Sequence, residues 1–297
     1  MSAEAMGRHD AQSAKPPVGV AWRLKRLYLD HERAILGTVV VILFLTFWEG
    51  LERGWWTDML RPLIGVPAER WTVKPIFISS PTRIAAAAYR MFFVTGEIWP
   101  HLQRSALEYA AGLALAVAVG IPLGLAAGWY RRFAYAAEPF LAALNATPQV
   151  AFLPLIIVWV GTGVAAKILI IFLLAVLPIA ISAQSAVRTT DARLVTLARS
   201  CNAGQWQLFR SVILPSAIPY LLAGLRLAIG RAMIGIVVGE IYGSALGVGA
   251  MINQAGSRFQ TDRVFVGVLT IVAAGMVLSE VVRRIERRVE PWRAALS

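Results

Sequence analysis

The feature that most constrains this chain is a series of apolar stretches, each long enough to cross a lipid bilayer. A spanning helix needs about 20 consecutive, predominantly apolar residues, and such stretches recur along the chain. A soluble protein would carry its apolar residues in shorter pieces. The composition agrees, because 58% of the residues are hydrophobic and only 15% are charged. The bilayer is therefore the expected solvent.

Six stretches are predicted to span the membrane, so the expected fold is an all-α, polytopic membrane protein. They are residues 34–51, 106–129, 136–160, 164–187, 220–242 and 264–282. Pro148 and Pro154 interrupt the third stretch and predict a kink there. Residues 81–94 could form an amphipathic helix on the membrane surface. The predicted organisation is a tail (1–33), a first helix (34–51), an extracytoplasmic stretch (52–103), a core domain (104–282) and a second tail (283–297).

The basic residues predict the orientation of these spans. A net charge of +12 could suggest nucleic acid as a partner, but the basic residues lie at the chain ends and in short gaps between apolar stretches. The positive-inside rule produces that pattern. The side that carries both termini and the 188–215 loop has 17 Lys and Arg, against 9 on the other. Both termini and this loop are therefore expected in the cytoplasm, and the protein in the inner (plasma) membrane.

The sequence contains no recognisable pattern for binding nucleotide phosphates or a metal, or for forming a disulfide within the chain. A phosphate-binding P-loop needs a lysine directly after a glycine, and none of the four lysines has that position. They are Lys15, Lys25, Lys74 and Lys167. The three histidines are scattered without a metal-ligand spacing, and the single Cys201 cannot form an internal disulfide. We expect no catalytic residue, no metal and no cofactor, and we expect ATP chemistry to belong to another protein.

Small residues recur at a spacing of four along three segments. They are Gly120, Gly124 and Gly128; Gly235 and Gly239; and Gly243 and Gly247. Such spacing lets two helices approach closely in a membrane, where the hydrophobic effect does not drive helices together. The contact could be made within one subunit or between the two copies of a dimer.

Three charges on the fifth predicted span need partners. Arg226 and Arg231 lie in its cytoplasmic half, and Glu240 lies near its outer end. Nine residues separate Arg231 from Glu240, which places them about 180° apart around a helix, so they do not pair with each other. Both are candidate pathway residues. Arg231 could meet an anionic substrate, reach the membrane interface or pair with a neighbouring helix.

Other ionisable residues bear on an alternative function, an ion- or proton-coupled secondary transporter. Such a protein would place ionisable groups deep in its spans. Four glutamates instead appear near span ends, where we expect them to be solvated or at the level of the lipid headgroups. They are Glu49, Glu108, Glu138 and Glu280.

The 188–215 loop is predicted to contain two short helices. Asp191 is a plausible N-cap of the first, and Asn202 can adopt the left-handed conformation that ends it. Leu194, Leu197, Ala198 and Cys201 fall at helical spacing and form one apolar stripe. The second helix would present Trp206, Phe209, Val212 and Ile213 on one side before Leu214 and Pro215 end it. These apolar surfaces predict a docking element.

This loop resembles that of the permeases of binding-protein-dependent ABC importers, whose pattern is E-A-A, three residues, G, nine residues, I-x-L-P. Counting back from Pro215 puts Val212 at the Ile position and Asn202 at the Gly position. Thr196, Leu197 and Ala198 then stand at E-A-A, with Thr in place of Glu. The resemblance implies that the loop couples to an ATPase. The coupling residues would be Thr196, Leu197, Ala198, Asn202, Gly204, Val212, Leu214 and Pro215.

The resemblance extends over roughly residues 75–290, through segments such as GIPLGLAAGWYRR and VVGEIYGSALGVG. It is nearest to the branch that serves nitrate, sulfonate and taurine. It implies a six-helix type I importer permease (MetI-like) fold and transport of a small organic or inorganic anion. The implied partners are two copies of an ATP-binding cassette ATPase, an extracytoplasmic solute-binding protein, a second copy of this chain and membrane lipid, and no nucleic acid.

Overall fold

The computed structural model describes residues 20–56 and 77–289, and the regular structure in these two ranges is helical. The helices of the first part are α1 (Val20–Arg53), α2 (Pro81–Tyr89), α3 (Ile98–Trp129), α4 (Arg131–Ala146), α5 (Leu153–Val160) and α6 (Val164–Arg188). Those that follow are α7 (Ala192–Ser200), α8 (Gln205–Leu208), α9 (Leu214–Gly243), α10 (Val248–Ser257) and α11 (Thr261–Val289). Helix α1 belongs to one compact unit and α2–α11 belong to a second. Parts of the predicted tails and of the 52–103 stretch lie outside the described residues.

Five helical segments in the described ranges are long and apolar enough to cross a membrane. They are Ile35–Arg53, Ile98–Trp129, Val164–Arg188, Gln205–Gly243 and Thr261–Arg288. Each contains or closely matches a predicted span, although α1 begins at Val20, before the predicted start at residue 34. The expected all-helical, polytopic fold is confirmed.

The third predicted span is broken rather than gently kinked. Helix α4 and the segment Gln149–Val160 meet at 92° across a short break, so the pair is either one broken span or a re-entrant loop. The break lies at Thr147, whose backbone is extended with φ −87° and ψ 138°. The ring of Pro148 disfavours a helical conformation for the residue before it. The proline that predicted a kink thus ends the helix.

Helix α6 is the centre of the second unit and packs between α3 and α9. The buried core of these three helices contains Tyr109 and Ala116 of α3, Ile171 of α6, and Ala228 and Ala232 of α9. The phenolic hydroxyl of Tyr109 donates a hydrogen bond to the carbonyl of residue 229 at 3.2 Å. This packing aligns three spanning helices side by side.

The glycines at four-residue spacing make these close contacts possible. A Cβ on Gly120 would lie 3.0 Å from the carbonyl oxygen of Val176, and one on Gly128 would lie 2.9 Å from that of Gln184. On α9, a Cβ on Gly235 would lie 3.0 Å from the Cα of Ile171. All three glycines therefore lie against α6 of the same chain. Of the two possibilities the sequence left open, these glycines serve packing within one subunit.

The helix predicted within residues 81–94 forms as α2 followed by a π-helical turn, Arg90–Val94. Its buried side chains, Ile84, Ala87 and Met91, lie on one side, and the helix packs against α11. Tyr89 and Phe93 are exposed. The helix is thus amphipathic, and its exposed aromatic residues suit a membrane–water interface.

Candidate functional site

The loop between α6 and α9 folds onto one end of the bundle and begins with a capped helix. The carboxylate of Asp191 accepts the backbone N–H of Arg193 at 2.8 Å, as expected of an N-cap. Val195 packs on the hydrophobic cluster formed by the ends of α3, α6 and α9. Leu194 and Leu197 point elsewhere and are 46% and 62% exposed. Helix α7 therefore uses one side to attach to its own bundle and leaves its leucine stripe uncovered.

The end of α7 has the left-handed residue that the sequence predicts. Asn202 has φ 56°. The N–H of Ala203 donates to the carbonyl of Ala198 at 3.0 Å, and the N–H of Asn202 donates to that of Arg199 at 2.9 Å. These two bonds define a Schellman motif, in which a positive φ is required. Asparagine supports this conformation better than most residues, so Asn202 can serve at a position where the resembling pattern has glycine.

Two other loop positions have less demanding surroundings. The hydroxyl of Thr196 donates to the carbonyl of Ala192 at 2.9 Å, so this exposed side chain bonds to its own helix. Gly204 has an ordinary φ of −67° and precedes α8 as its N-cap residue. A Cβ at position 204 would meet nothing within 4 Å. Neither backbone conformation nor space therefore requires glycine there.

The prediction that Leu214 and Pro215 end the second loop helix is wrong. Helix α8 continues through a π-helical turn, Phe209–Ile213, directly into α9, so that residues 205–243 form one helical segment. Proline disturbs a helix because it lacks an N–H and its ring presses on the carbonyl of the preceding turn. A π turn just before Pro215 widens the helix and changes the bonding register there. Val212, Leu214 and Pro215 thus connect the loop to a spanning helix without a break.

The predicted apolar side of this second helix is divided between the bundle and the surface. Ile213 is buried, whereas Trp206 is 72% exposed. The Trp206 ring stacks on Phe209 with centroids 6.0 Å apart, and Phe209 contacts the edge of Trp129 at 5.4 Å. These three rings border a cavity of about 510 Å³ at the end of α3. An open aromatic cavity thus lies beside the loop helices.

At the opposite end of the bundle, a buried ion pair joins α3 and α6. Lys167 Nζ lies 2.6 Å from Glu108 Oε1, with side chains only 4% and 2% exposed. Lys167 also donates to the hydroxyl of Ser244 at 3.1 Å, and Arg104 Nε lies 2.7 Å from Glu108 Oε1. The expectation that Glu108 is solvated is therefore wrong. Its carboxylate faces α6, where a charge needs a partner to be tolerated.

The other three glutamates, Glu49, Glu138 and Glu280, are each paired with an arginine. Glu138 contacts Arg188, and Glu280 contacts Arg283. Both glutamates keep part of their side chains exposed, as expected. Glu49 is more enclosed and contacts the guanidinium of its neighbour Arg53 at 2.7 Å.

Glu240 finds its partners on α3 and α10. The hydroxyl of Ser105 donates to Glu240 Oε1 at 2.5 Å, and the N–H of Gly249 donates to Oε2 at 2.7 Å. The same Ser105 oxygen accepts the N–H of Val248 at 2.9 Å. Gly247, with φ 134°, has no room for a Cβ beside this carboxylate. Glu240 therefore connects the start of α10 to the first turns of α3, and its hydrogen-bond partners belong to this chain.

The two arginines of α9 differ in their surroundings. Arg226 contacts Glu286 of α11. Arg231 is exposed, and it makes no ion pair or hydrogen bond with any residue in 77–288. A guanidinium at the centre of a spanning helix costs about 2.5–3.5 kcal/mol on insertion scales. The sequence predicted that Arg231 needs a partner, and residues 77–288 do not supply one.

A bundle of membrane-length helices, with a capped and partly uncovered helical loop at one end, defines a polytopic membrane protein. Residues 120–291 match the family described as binding-protein-dependent transport system inner membrane component. The chain belongs to this family of membrane transport subunits.

Curated relatives cover most of the chain. It is 34% identical to the "Putative aliphatic sulfonates transport permease protein SsuC" of Bacillus subtilis (strain 168), over 81% of this chain and 88% of that protein. It is 30% identical to the taurine transport system permease protein TauC of Escherichia coli (strain K12), over 86% and 88%. The riboflavin transport system permease protein RibX of Chloroflexus aurantiacus is 31% identical, over 96% and 100%.

A solved structure supports the fold. The inward-facing MetNI methionine ABC transporter contains a chain that aligns with a TM-score of 0.59 at 19% identity, covering 66% of this chain and 99% of that one. The expected type I importer permease fold is thereby confirmed. With the family assigned, the alternative of an ion-coupled secondary transporter is not favoured.

Proposed function

We propose that this chain is the permease subunit of an ATP-driven importer for small anions, and that a separate ATPase docks on α7 and α8. The uncovered stripe of Leu194 and Leu197 carries this proposal, because the same short helix already holds itself to the bundle through Val195. An apolar stripe left open at helical spacing suits burial against a partner helix or groove. The exposed Trp206 beside it extends the available apolar surface.

The continuity of α8 with α9 suggests how the subunit would use ATP. Because residues 205–243 form one helical segment, a displacement of the loop by the ATPase would be passed directly to a spanning helix. A flexible connector would absorb the same displacement. Two ATPase subunits, a second copy of this chain and an extracytoplasmic solute-binding protein would complete the importer. The solute would cross between the two copies of the permease.

The orientation of the protein follows from the same proposal. An ATPase that uses cytoplasmic ATP requires α7 and α8 on the cytoplasmic side, and 17 against 9 basic residues favour that side for the loop and both termini. Helix α10 would then lie on the extracytoplasmic side, where a solute-binding protein can reach it.

The proposed solute is a small anion such as a sulfonate, taurine or nitrate. Relatives named for aliphatic sulfonates and for taurine cover more than four fifths of the chain. The relative named for riboflavin is about as similar, so the fold alone does not dictate the solute. An anion is favoured by the guanidinium of Arg231, which pairs with no residue in 77–288.

The docking proposal is tested by placing an arginine on each side of α7. Leu197→Arg puts a charge in the uncovered stripe, where burying a leucine against the ATPase would contribute about 1.5–3 kcal/mol. We expect this variant to insert and fold but to lose co-purification with the ATPase and solute uptake. Val195→Arg puts the same charge against the bundle, and we expect it to reduce the amount of folded subunit.

A third variant controls for added charge alone. Ser257 is exposed at the end of α10, at the opposite end of the bundle from α7 and α8, so Ser257→Arg should keep both folding and ATPase binding. Size-exclusion chromatography in detergent measures folding, and affinity purification of the tagged ATPase measures docking. A Leu197→Arg protein that keeps its ATPase and full uptake, or that fails to fold as Val195→Arg does, would exclude the stripe as the docking surface.

A further inference from the structure

Arg231 belongs to a strip of exposed residues along α9. Ala223, Leu227, Gly230, Arg231 and Ile234 are all exposed and occupy adjoining positions around the helix. Arg231 is 12 residues from the Gly243 end of α9 and 17 from the Leu214 end. At a rise of about 1.5 Å per residue, these separations are about 18 Å and 26 Å. The guanidinium is therefore attached deep within the spanning helix.

The ordinary explanations for an arginine in a membrane helix do not suit this position. Arginines near the ends of a span extend to the lipid headgroups, but Arg231 stands at the middle of the apolar stretch 220–242, about 16 Å from either end at about 1.5 Å per residue. Within the second unit, pairing with a neighbouring helix is not available either, since no acidic side chain in 77–288 contacts Arg231. Glu240, the nearest acidic residue along the sequence, is engaged with Ser105, and Glu286 of α11 is engaged with Arg226.

We propose that Arg231 faces a water-filled passage and binds the anionic group of the solute, a sulfonate or similar oxyanion, as it crosses. The inference rests on the proposed import function and names the group that its passage recognises. A guanidinium offers several N–H donors in a plane and forms paired hydrogen bonds with oxyanions. Gly230 beside it leaves open space, because a Cβ there would meet nothing within 4 Å. Ligand and water can therefore approach the guanidinium along the strip.

A labelling experiment tests this without knowledge of the natural solute. Leu227, one turn from Arg231 and 63% exposed, is replaced by cysteine (Leu227→Cys) in the complete complex, after Cys201→Ser removes the only native thiol of this chain; labelling is read on this subunit. The complex in membrane vesicles is treated with an anionic reagent, sulfonatoethyl methanethiosulfonate, or a cationic one, trimethylammonioethyl methanethiosulfonate. Both should react. Adding Arg231→Gln should lower the anion-to-cation rate ratio about tenfold, because one charge acts on the two reagents in opposite directions at about 6 Å.

The matched control is Arg288→Gln, which removes an exposed arginine from the last turn of α11. It should leave the ratio unchanged. If the introduced thiol at position 227 reacts with neither charged reagent in resting or ATP-bound complexes, the strip faces lipid or is covered, and the proposal is overturned. A ratio unaffected by Arg231→Gln would also overturn it, since Arg231 would then not attract anions.

An uptake measurement separates this inference from the import function. Vesicles that contain the whole complex are given taurine or ethanesulfonate as probes. Arg231→Gln should lower uptake at least tenfold, and Arg231→Lys, which keeps the charge, should restore part of it. If Arg231→Gln imports as well as the wild type, Arg231 is not the anion contact although the import function stands. If the wild type imports neither probe, the sulfonate assignment fails, and the labelling ratio of the Leu227→Cys variant still decides whether Arg231 attracts anions.

Discussion

Replacing Lys167 by methionine is the sharpest test of the buried charges at the α10 end of the bundle. Lys167 contacts Glu108 at 2.6 Å, and both side chains are almost fully enclosed. Methionine has a similar length and suits the apolar surroundings, so the change removes the ammonium group without creating a large cavity. Glu108 then remains buried, with only Arg104 as an ionic partner among the described residues. The variant therefore isolates the free energy of a carboxylate that has lost its buried partner.

Lys167→Met should cause a large loss in the free energy of unfolding, although not the largest that such a change can cause. Removing one partner of a buried ion pair costs about 3–5 kcal/mol in the free energy of unfolding, because the other charge stays buried without compensation. Arg104 still contacts Glu108 Oε1, whereas Oε2 has no hydrogen-bond partner among the described residues. We therefore expect a loss near the lower limit, about 3 kcal/mol.

The double variant Glu108→Gln with Lys167→Met decides whether the pair or the lysine alone matters. Since neutralising both partners of a buried pair is often nearly neutral, we expect the double variant to recover most of the stability. A double-mutant cycle gives the coupling free energy from the two single variants and the double variant. Equilibrium unfolding by sodium dodecyl sulfate in mixed micelles, followed by circular dichroism, measures each value. If Lys167→Met is no less stable than the double variant, Glu108 does not depend on Lys167.

Two further predictions concern packing and orientation. Gly124→Ala should destabilise the protein by about 1–3 kcal/mol, since its Cβ would lie 2.6 Å from that of Ala183 on α6. Gly37→Ala, where a Cβ meets nothing within 4 Å, should be neutral or slightly stabilising, and equal losses from both would contradict the packing argument. Cysteine placed at Ser257, at the exposed end of α10, should react with an impermeant thiol reagent added outside intact cells. Labelling only after the cytoplasmic side is opened would reverse the proposed orientation.

The spanning helices were predictable because the length of an apolar stretch is itself the physical requirement for crossing a bilayer. What the proline residues do was less predictable. At Pro148 the chain turns sharply, because the preceding Thr147 is extended. At Pro215 the helix continues, and a π-helical turn precedes the proline. A proline can therefore either end a helix or be accommodated within one. We infer that the packing of the flanking segments decides between these two outcomes. The sequence alone does not contain that packing.

The role of Glu108 was missed although the sequence carries a signal for it. Depth along a helix was judged from distance to the span end, and that distance says nothing about which side of the helix a residue occupies. Glu108 stands four residues before Gly112, which begins a series of small residues that continues every fourth residue to Gly128. A Cβ on Gly112 would lie 2.6 Å from Ile171 of α6. A charge in register with a close-packing stripe faces the neighbouring helix, so this register predicts burial.

The two ends of α9 are held in different ways, and the difference bears on how the importer would work. At the α10 end, Glu240 is fixed by a short hydrogen bond from Ser105 and another from the backbone of Gly249. At the other end, α9 continues into the loop helix α8, where Trp206 is uncovered. A force applied by an ATPase would therefore act on the loop end of a helix whose far end is fixed by buried polar contacts. Such a helix tilts about its fixed end, and the displacement at Arg231 would be intermediate. The residue proposed to bind the anion thus lies where movement of the loop would change access to it.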